Sequence, residues 1–157
     1  MEKLIKQLMM DNEFYYSEIH GRRHYANVMA AGLELAQHYH VNPKILKYFA
    51  YLHDSCRENE NYDPWHGPRA ADYVAKNKHL IDLGPDELTE LQSACYYHTS
   101  AKPWDNTTYS IVEQVCFDAD RSDIGRIGVE VDPLYLFTSR ARELFINDKP
   151  KFRSACT

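Results

Sequence analysis

Residues 42 to 55 decide the fold, and they read Asn-Pro-Lys-Ile-Leu-Lys-Tyr-Phe-Ala-Tyr-Leu-His-Asp-Ser. The stretch predicts a helix, because Asn42 is a favoured N-cap residue and Pro43 is tolerated at the first helical position. Its apolar residues recur at the spacing of one buried helical face. They are Ile45, Leu46, Phe49, Ala50 and Leu52.

Two polar residues, His53 and Asp54, end this apolar stretch. His53 follows Leu46 by seven residues and Phe49 by four, which places it on the buried face of the expected helix. The His-Asp dipeptide therefore brings an imidazole and a carboxylate to the inside of the protein.

The rest of the chain carries the same helical pattern, and we expect one all-α domain over residues 1–157, a helical bundle. Thr107–Tyr109 and Ile127–Val131 have a strand-like composition but are too short to found a sheet. The other expected helices cover residues 2–10, 22–39, 67–79, about 85–98, about 111–122 and 134–146.

Composition excludes several classes of protein. The chain has 157 residues, with 18 basic against 23 acidic residues, and a formal charge of −5. This balance argues against nucleic acid or an anionic membrane as the main partner. No apolar run approaches the roughly 18 residues of a membrane helix, and the N-terminus lacks the apolar core of a signal peptide.

The cysteines are scattered without C-x-x-C spacing, which predicts reduced thiols in a cytoplasmic protein. They are Cys56, Cys95, Cys116 and Cys156.

On three other expected helices, an apolar stripe has a polar residue at one of its two ends. These residues are His24, His98 and Asp120. Each lies three or four residues from an apolar member of its stripe, namely Val28, Cys95 and Cys116 respectively. A buried ionised group costs several kcal/mol unless it is paired or coordinated, and metal coordination from facing helices is the usual solution in a bundle. A mixed His and carboxylate set suits Fe, Mn, Zn, Co or Ni.

The remaining histidines have no such stripe. We interpret them as loop or solvated helix positions, and they are His20, His38, His40 and His79.

The order His24, His53-Asp54, Asp120 resembles the H…HD…D signature of the HD domain superfamily of metal-dependent phosphohydrolases. The resemblance spans about residues 20 to 128 and implies an all-α bundle whose metal ligands come from separate helices. The sequence segments around these residues also match, and they are His20-Gly21-Arg22-Arg23-His24, Leu52-His53-Asp54-Ser55, His66-Gly67-Pro68-Arg69-Ala70-Ala71 and Asp118-Ala119-Asp120-Arg121-Ser122-Asp123.

Two features of the implied metal site stay open at this point. The resemblance favours Asp120 as the last ligand, whereas helical phase fits Asp118 equally well. His66 and His98 fall where some members of the superfamily carry two further ligands and hold a second metal, bridged by the Asp of the dipeptide. We therefore expect one or two divalent ions on His24, His53, Asp54, His66, His98 and Asp120.

The chemistry follows from the metal, which lowers the pKa of a bound water and polarises a phosphoryl oxygen. Asp54 and Arg57 are the expected catalytic residues. Phosphoryl transfer also needs cations around the phosphate, and Arg57, Arg69 and Lys102 are the expected substrate-binding residues. Further basic candidates are Arg121 and Arg126.

Three functions compete at this stage. The leading one is hydrolysis of a small phosphate ester, nucleotides included. The second is a di-iron oxygenase of the inositol-oxygenase-like HD branch, which uses six such ligands. The third is a metal-binding regulatory module without activity. For partners, we expect a small-molecule phosphate, no nucleic acid and no membrane, and we consider a homodimer through the C-terminal helices.

Overall fold

The computed structural model describes residues 1–147, and these residues form helices without any strand, which confirms the all-α prediction. Neither of the two segments with strand-like composition is a strand. Three short 3-10 turns lie at Lys78–Leu80, Ile124–Ile127 and Pro133–Tyr135. The helices are α1 (Glu2–Asp11), α2 (Arg22–Tyr39), α3 (Pro43–Leu52), α4 (His66–Lys76), α5 (Pro85–Tyr97), α6 (Ile111–Arg121) and α7 (Ser139–Asn147).

Helix starts follow the local capping chemistry of the sequence. Asn42 Oδ1 accepts a hydrogen bond from the backbone N–H of Lys44 at 3.0 Å, with Pro43 as the first residue of α3. At α6, Ser110 and Glu113 form a reciprocal capping box. Each arrangement satisfies backbone N–H groups that have no partner within the helix, so both helices begin where the sequence predicts.

Helix α3 lies at the centre of the bundle, because it packs against α2, α4, α5 and α6. Its core side chains include Phe49 and Leu52, both fully buried. Burying a side chain of this size contributes about 1.5–3 kcal/mol. The end of α3, where His53 and Asp54 lie, is therefore enclosed by neighbouring helices. Within residues 1–147, no helix combines the length and apolar character that a membrane span requires.

The last helix begins at Ser139, not at residue 134 as the sequence predicts. The cause is the buried Asp118 carboxylate, which accepts hydrogen bonds from the backbone N–H of Phe137 at 2.7 Å and of Thr138 at 2.8 Å. It also accepts one from the Thr138 hydroxyl at 2.7 Å. These bonds draw the chain around Asp118 just before α7 begins, and residues 133–135 form a 3-10 turn instead of helix.

Helix α4 also ends early, at Lys76 rather than residue 79. The Tyr73 carbonyl accepts hydrogen bonds from both the backbone N–H and the side-chain amide of Asn77, each at 3.0 Å, and the chain then turns at Lys78–Leu80. The expected single domain of residues 1–157 includes Cys156 and the other residues after 147, which lie outside the described part of the chain, so that expectation stays a prediction.

Gly67, in the first turn of α4, lets this helix approach the end of α5. A Cβ at Gly67 would lie 2.7 Å from the Tyr96 carbonyl oxygen and 2.9 Å from that of Cys95. We therefore predict that Gly67→Ala lowers the free energy of unfolding by about 1–3 kcal/mol, the usual cost of overpacking, in urea denaturation. Gly84→Ser is the control, because a Cβ there would meet nothing closer than 3.8 Å and Ser is a favoured N-cap. Unchanged stability of Gly67→Ala would contradict this account.

Candidate metal centre

Six buried or partly buried polar side chains converge at the centre of the bundle. Their ligand atoms form two groups, each with its atoms within 4.8 Å of one another. They come from α2, the end of α3, the start of α4, the residue after α5 and the last turn of α6. The first group is His24, His53 and Asp120, and the second is Asp54, His66 and His98.

Asp54 joins the two groups, because each of its carboxylate oxygens faces a different one. Oδ1 lies 3.1 Å from His66 Nε2 and 3.6 Å from His98 Nε2. Oδ2 lies 3.5 Å from His24 Nε2 and 3.7 Å from His53 Nε2. This is the geometry of a carboxylate that can bridge two ions.

Within each group the imidazoles face one another through Nε2. His24 Nε2 and His53 Nε2 are 3.0 Å apart, and Asp120 Oδ1 lies 3.3 Å and 3.5 Å from them. His66 Nε2 and His98 Nε2 are 2.8 Å apart. Each group therefore presents two ring nitrogens and a carboxylate oxygen to a common point.

The other ring nitrogen, Nδ1, faces an acceptor in all four histidines. A carbonyl or carboxylate oxygen can only accept, so Nδ1 carries the ring proton and Nε2 keeps its lone pair. The acceptors are Phe49 O for His53 (3.0 Å), Cys95 O for His98 (2.8 Å), Asp63 O for His66 and Asp123 Oδ2 for His24 (2.9 Å).

Nε2 atoms and carboxylate oxygens thus converge at hydrogen-bond distances, and their mutual repulsion is relieved only by a shared proton or by a cation. A cation removes this repulsion, and the neutral imidazole and carboxylate donors are those that Fe, Mn, Zn, Co and Ni accept. The hydrogen bonds at Nδ1 are of the kind that orient metal-binding histidines. The donor set of the chain therefore fits one divalent ion in each group.

The carboxylates are ready for this role because they are ionised. Burial alone would raise the pKa of Asp54, but His53, His66 and His98 outweigh it and hold the pKa well below its ordinary value. Burial likewise opposes the ionisation of Asp120, whose pKa His24 and His53 hold well below the ordinary value. Both negative charges are present at neutral pH.

The geometry agrees with the expected choice of Asp120 over Asp118. Asp120 reaches His24 and His53, whereas the Asp118 carboxylate is used by the backbone and hydroxyl groups of Phe137 and Thr138. Burial raises the pKa of Asp118. Asp118 is therefore placed to anchor the chain before α7, and Asp120 is placed to bind a metal.

Among the expected substrate-binding residues, Arg57 alone lies at the centre. Its Nη1 is 3.4 Å from Asp54 Oδ1 and 3.3 Å from His66 Nε2. Its Nε and Nη2 donate to the carbonyls of Asn59 at 3.2 Å and Asn61 at 2.8 Å, which fix the guanidinium.

The other basic candidates have different contacts. Arg69 donates to Asp63 Oδ2 at 2.6 Å and to the Cys56 carbonyl at 2.9 Å, so it braces the loop between α3 and α4. Lys102 is exposed, with Nζ 5.9 Å from the ring centroid of Trp104. Within residues 1–147, neither contacts a proposed ligand atom, so their predicted substrate binding has no support from this geometry. Arg121 donates to backbone carbonyls, those of His98, Ala101 and Tyr135.

Two residues at the centre have no role in the expectations from the sequence. Asp123, two residues after the end of α6, holds His24 and also accepts from Asn27 Nδ2 at 2.8 Å. The Thr99 hydroxyl lies 3.1 Å from His66 Nε2 and 3.2 Å from His98 Nε2. The only signals in the sequence are their positions, three residues after Asp120 and one after His98.

His20 corrects one expectation, since it lies in a loop but is buried instead of solvated. The Ser17 hydroxyl accepts from the backbone N–H of Ile19 and of His20, both at 3.0 Å, and turns the loop inward. His20 Nδ1 then meets Glu60 Oε2 at 2.5 Å. The other three histidines interpreted as solvated are exposed, namely His38, His40 and His79.

Comparison with known proteins supports the fold. No family model and no curated protein matches the chain. A solved structure does, described as a predicted HD superfamily hydrolase from an uncultured Thermotogales bacterium. The two share 20% sequence identity with a TM-score of 0.69, over 91% of this chain and 81% of that one. The chain therefore has the fold of an HD-type helical domain, and its two His and Asp groups fit a metal site of that type.

The two groups predict two ions per chain. After loading with Mn²⁺ or Fe²⁺, elemental analysis should find about two ions in the wild type and about one in His66→Ala and His98→Ala, because each removes a ligand of the second group. His79→Ala, an exposed histidine, is the control and should keep the wild-type content. A wild type with one ion, or a His98→Ala variant with two, would refute the two-ion site.

Asp123 should affect the metal affinity of the first group only. Removing the hydrogen-bond partner of a metal-binding histidine typically weakens metal affinity about 10–100-fold. We therefore predict that Asp123→Ala binds the ion of the first group about 10–100-fold more weakly than the wild type does. Competition with a chromogenic chelator measures it. The matched variant Asp118→Asn should lose stability but keep wild-type metal affinity, because Asp118 contacts residues 137–138. Equal metal affinities of Asp123→Ala and wild type would contradict the role of Asp123.

Proposed function

We propose that the protein is a metal-dependent hydrolase that cleaves a small phosphate ester. The observation that carries this proposal is the position of Asp54, with one oxygen toward each of two groups of imidazole and carboxylate ligand atoms. A paired site of this kind suits attack on phosphorus, where charge develops on both the attacking and the leaving oxygen.

The fold and the donor chemistry support the proposal together. The structural neighbour is described as a predicted hydrolase, and its fold covers most of this chain. Ions bound by the six ligand residues would lower the pKa of a bound water and polarise a phosphoryl oxygen.

Arg57 supplies the fixed positive charge that phosphoryl transfer requires beside the ligands. Backbone carbonyls hold two of its nitrogens, so Nη1 stays directed at Asp54 and His66. These carbonyls carry no net charge, and Nη1 pairs with Asp54 Oδ1 at 3.4 Å, so the guanidinium charge lies beside the point where a phosphate oxygen would bind. The Thr99 hydroxyl, on the same side as His66 and His98, is placed to donate a hydrogen bond to a ligand bound there.

The activity should depend on both residues of the His-Asp dipeptide, His53 and Asp54. We predict that His53→Ala and Asp54→Ala each lower metal-stimulated phosphate release by about 1,000-fold, since losing the metal-held nucleophile costs several kcal/mol and each 1.36 kcal/mol is tenfold. Phosphate release from a panel of monoesters and diesters measures this. His79→Ala should retain full activity, and thermal melting should show that all variants fold. Full activity in both ligand variants would refute the proposal.

The two rival functions give different results in the same preparation. An oxygenase requires iron and consumes O₂, so turnover that is equal with Mn²⁺ under nitrogen and in air excludes it. A regulatory module would melt at a higher temperature with metal but release no phosphate from any ester. Hydrolysis under nitrogen is the result that we expect.

A further inference from the structure

A cavity of about 350 Å³ lies beside the first ligand group, next to His24. Its walls include Glu18, Arg23, Asn27 and Asp123. This volume lies at the small end of the range for pockets that bind small molecules. The cavity is therefore the place for the part of a substrate that extends from the metal centre.

Arg126 lies between this cavity and the ligand atoms. Its Nε donates to the Ile19 carbonyl at 2.9 Å, and its Nη1 donates to the Asp123 carbonyl at 3.2 Å. Its Nη2 is 3.9 Å from Asp54 Oδ2, beyond hydrogen-bond distance. The guanidinium is thus held in place by uncharged groups, with donor capacity left on the side that faces Asp54.

The charges at the centre call for an anion at this point. Asp54 and Asp120 would offset only half the charge of two divalent ions, and Arg57 and Arg126 add two positive charges close to Asp54, against one further negative charge from Asp123 beside His24. Like charges at such separations repel strongly unless an anion lies between them. A phosphate dianion matches the excess charge of the ions and has enough oxygens to contact both the ions and Arg126.

Among residues 1–147, the cavity lining is polar apart from Ile19 and Gly125, and its one aromatic side chain is the His24 imidazole. Carboxylate, guanidinium and amide groups of this kind bind hydroxyl groups, whereas a nucleobase or phenyl ring is usually held by apolar or aromatic surfaces. The lining therefore favours a hydroxylated substrate over a flat aromatic one.

We propose that Arg126 binds an oxygen of the substrate phosphate and that the cavity beside His24 takes the alcohol part of a small hydroxylated phosphate monoester, such as a sugar or polyol phosphate. The substrate class rests on the proposed hydrolase function, whereas the phosphate contact of Arg126 does not require turnover.

Calorimetric binding of inorganic phosphate to the metal-loaded protein tests Arg126 directly. Arg126→Gln, which can still donate to the Ile19 carbonyl, should raise the Kd for phosphate at least tenfold. Arg126→Lys, which keeps the charge but not the fork of donors, should raise it less. Both variants should keep the wild-type metal content, because Arg126 is not a ligand.

Arg140→Gln is the matched control and should bind phosphate as the wild type does. Arg140 pairs with Glu34 at 3.3 Å, and Glu34 lies ten residues after His24 on α2, which is about 15 Å along the helix axis.

Wild-type phosphate affinity in Arg126→Gln, with metal content intact, overturns the assignment of Arg126. A metal-loaded wild type that does not bind phosphate overturns it as well. Restored binding in Arg126→Gln on addition of millimolar guanidinium supports it and separates lost charge from misfolding.

A pair of esters tests the cavity. Ribose 5-phosphate and benzyl phosphate both release a primary alcohol, so their intrinsic reactivities are similar and the difference lies in what the cavity binds. The wild type should have a kcat/KM at least tenfold higher for ribose 5-phosphate. An equal or higher value for benzyl phosphate overturns the assignment of the cavity. Phosphate binding that depends on Arg126 in a protein that hydrolyses no ester would refute the hydrolase function while supporting the contact of Arg126.

Discussion

The structure depends on four imidazoles whose Nδ1 protons are bound elsewhere, so that their Nε2 lone pairs meet around Asp54. Three of the four protons go to backbone carbonyls three or four residues earlier in the same chain segment. The end of each segment therefore orients its own ring, independently of the rest of the bundle. Packing then has only to bring these ends together, and α3 does so because it contacts four other helices.

Two buried residues outside the centre have separate tasks. Gly67 allows α4 and α5 to approach until His66 and His98 meet, since the wall opposite it is mostly backbone that cannot give way. Asp118 instead fastens the segment before α7 and contributes to the stability of the bundle, whereas Asp120, two residues later, faces His24. The geometry of the metal centre therefore depends on the close packing at Gly67 and not on the anchor at Asp118.

Charge balance relates the centre to its chemistry. Asp54 and Asp120 would neutralise only half the charge of two divalent ions, and the guanidiniums of Arg57 and Arg126, fixed by backbone carbonyls, lie beside Asp54. A doubly charged anion would complete such a site. The proposed reaction and the proposed phosphate contact therefore have the same electrostatic cause.

The sequence by itself determined which segments are helical and most of the candidate ligand residues, because a polar residue at the end of an apolar stripe is visible in the spacing, as at His53 and Asp120. Spacing fixes a helix face but not what lies opposite it. The tertiary structure added the reason why Asp118 is occupied elsewhere, and it supplied Asp123, which is 99 residues from its partner His24. It likewise placed Arg57 and Arg126 at the ligands, because which arginines reach a buried site depends on how distant loops fold over it.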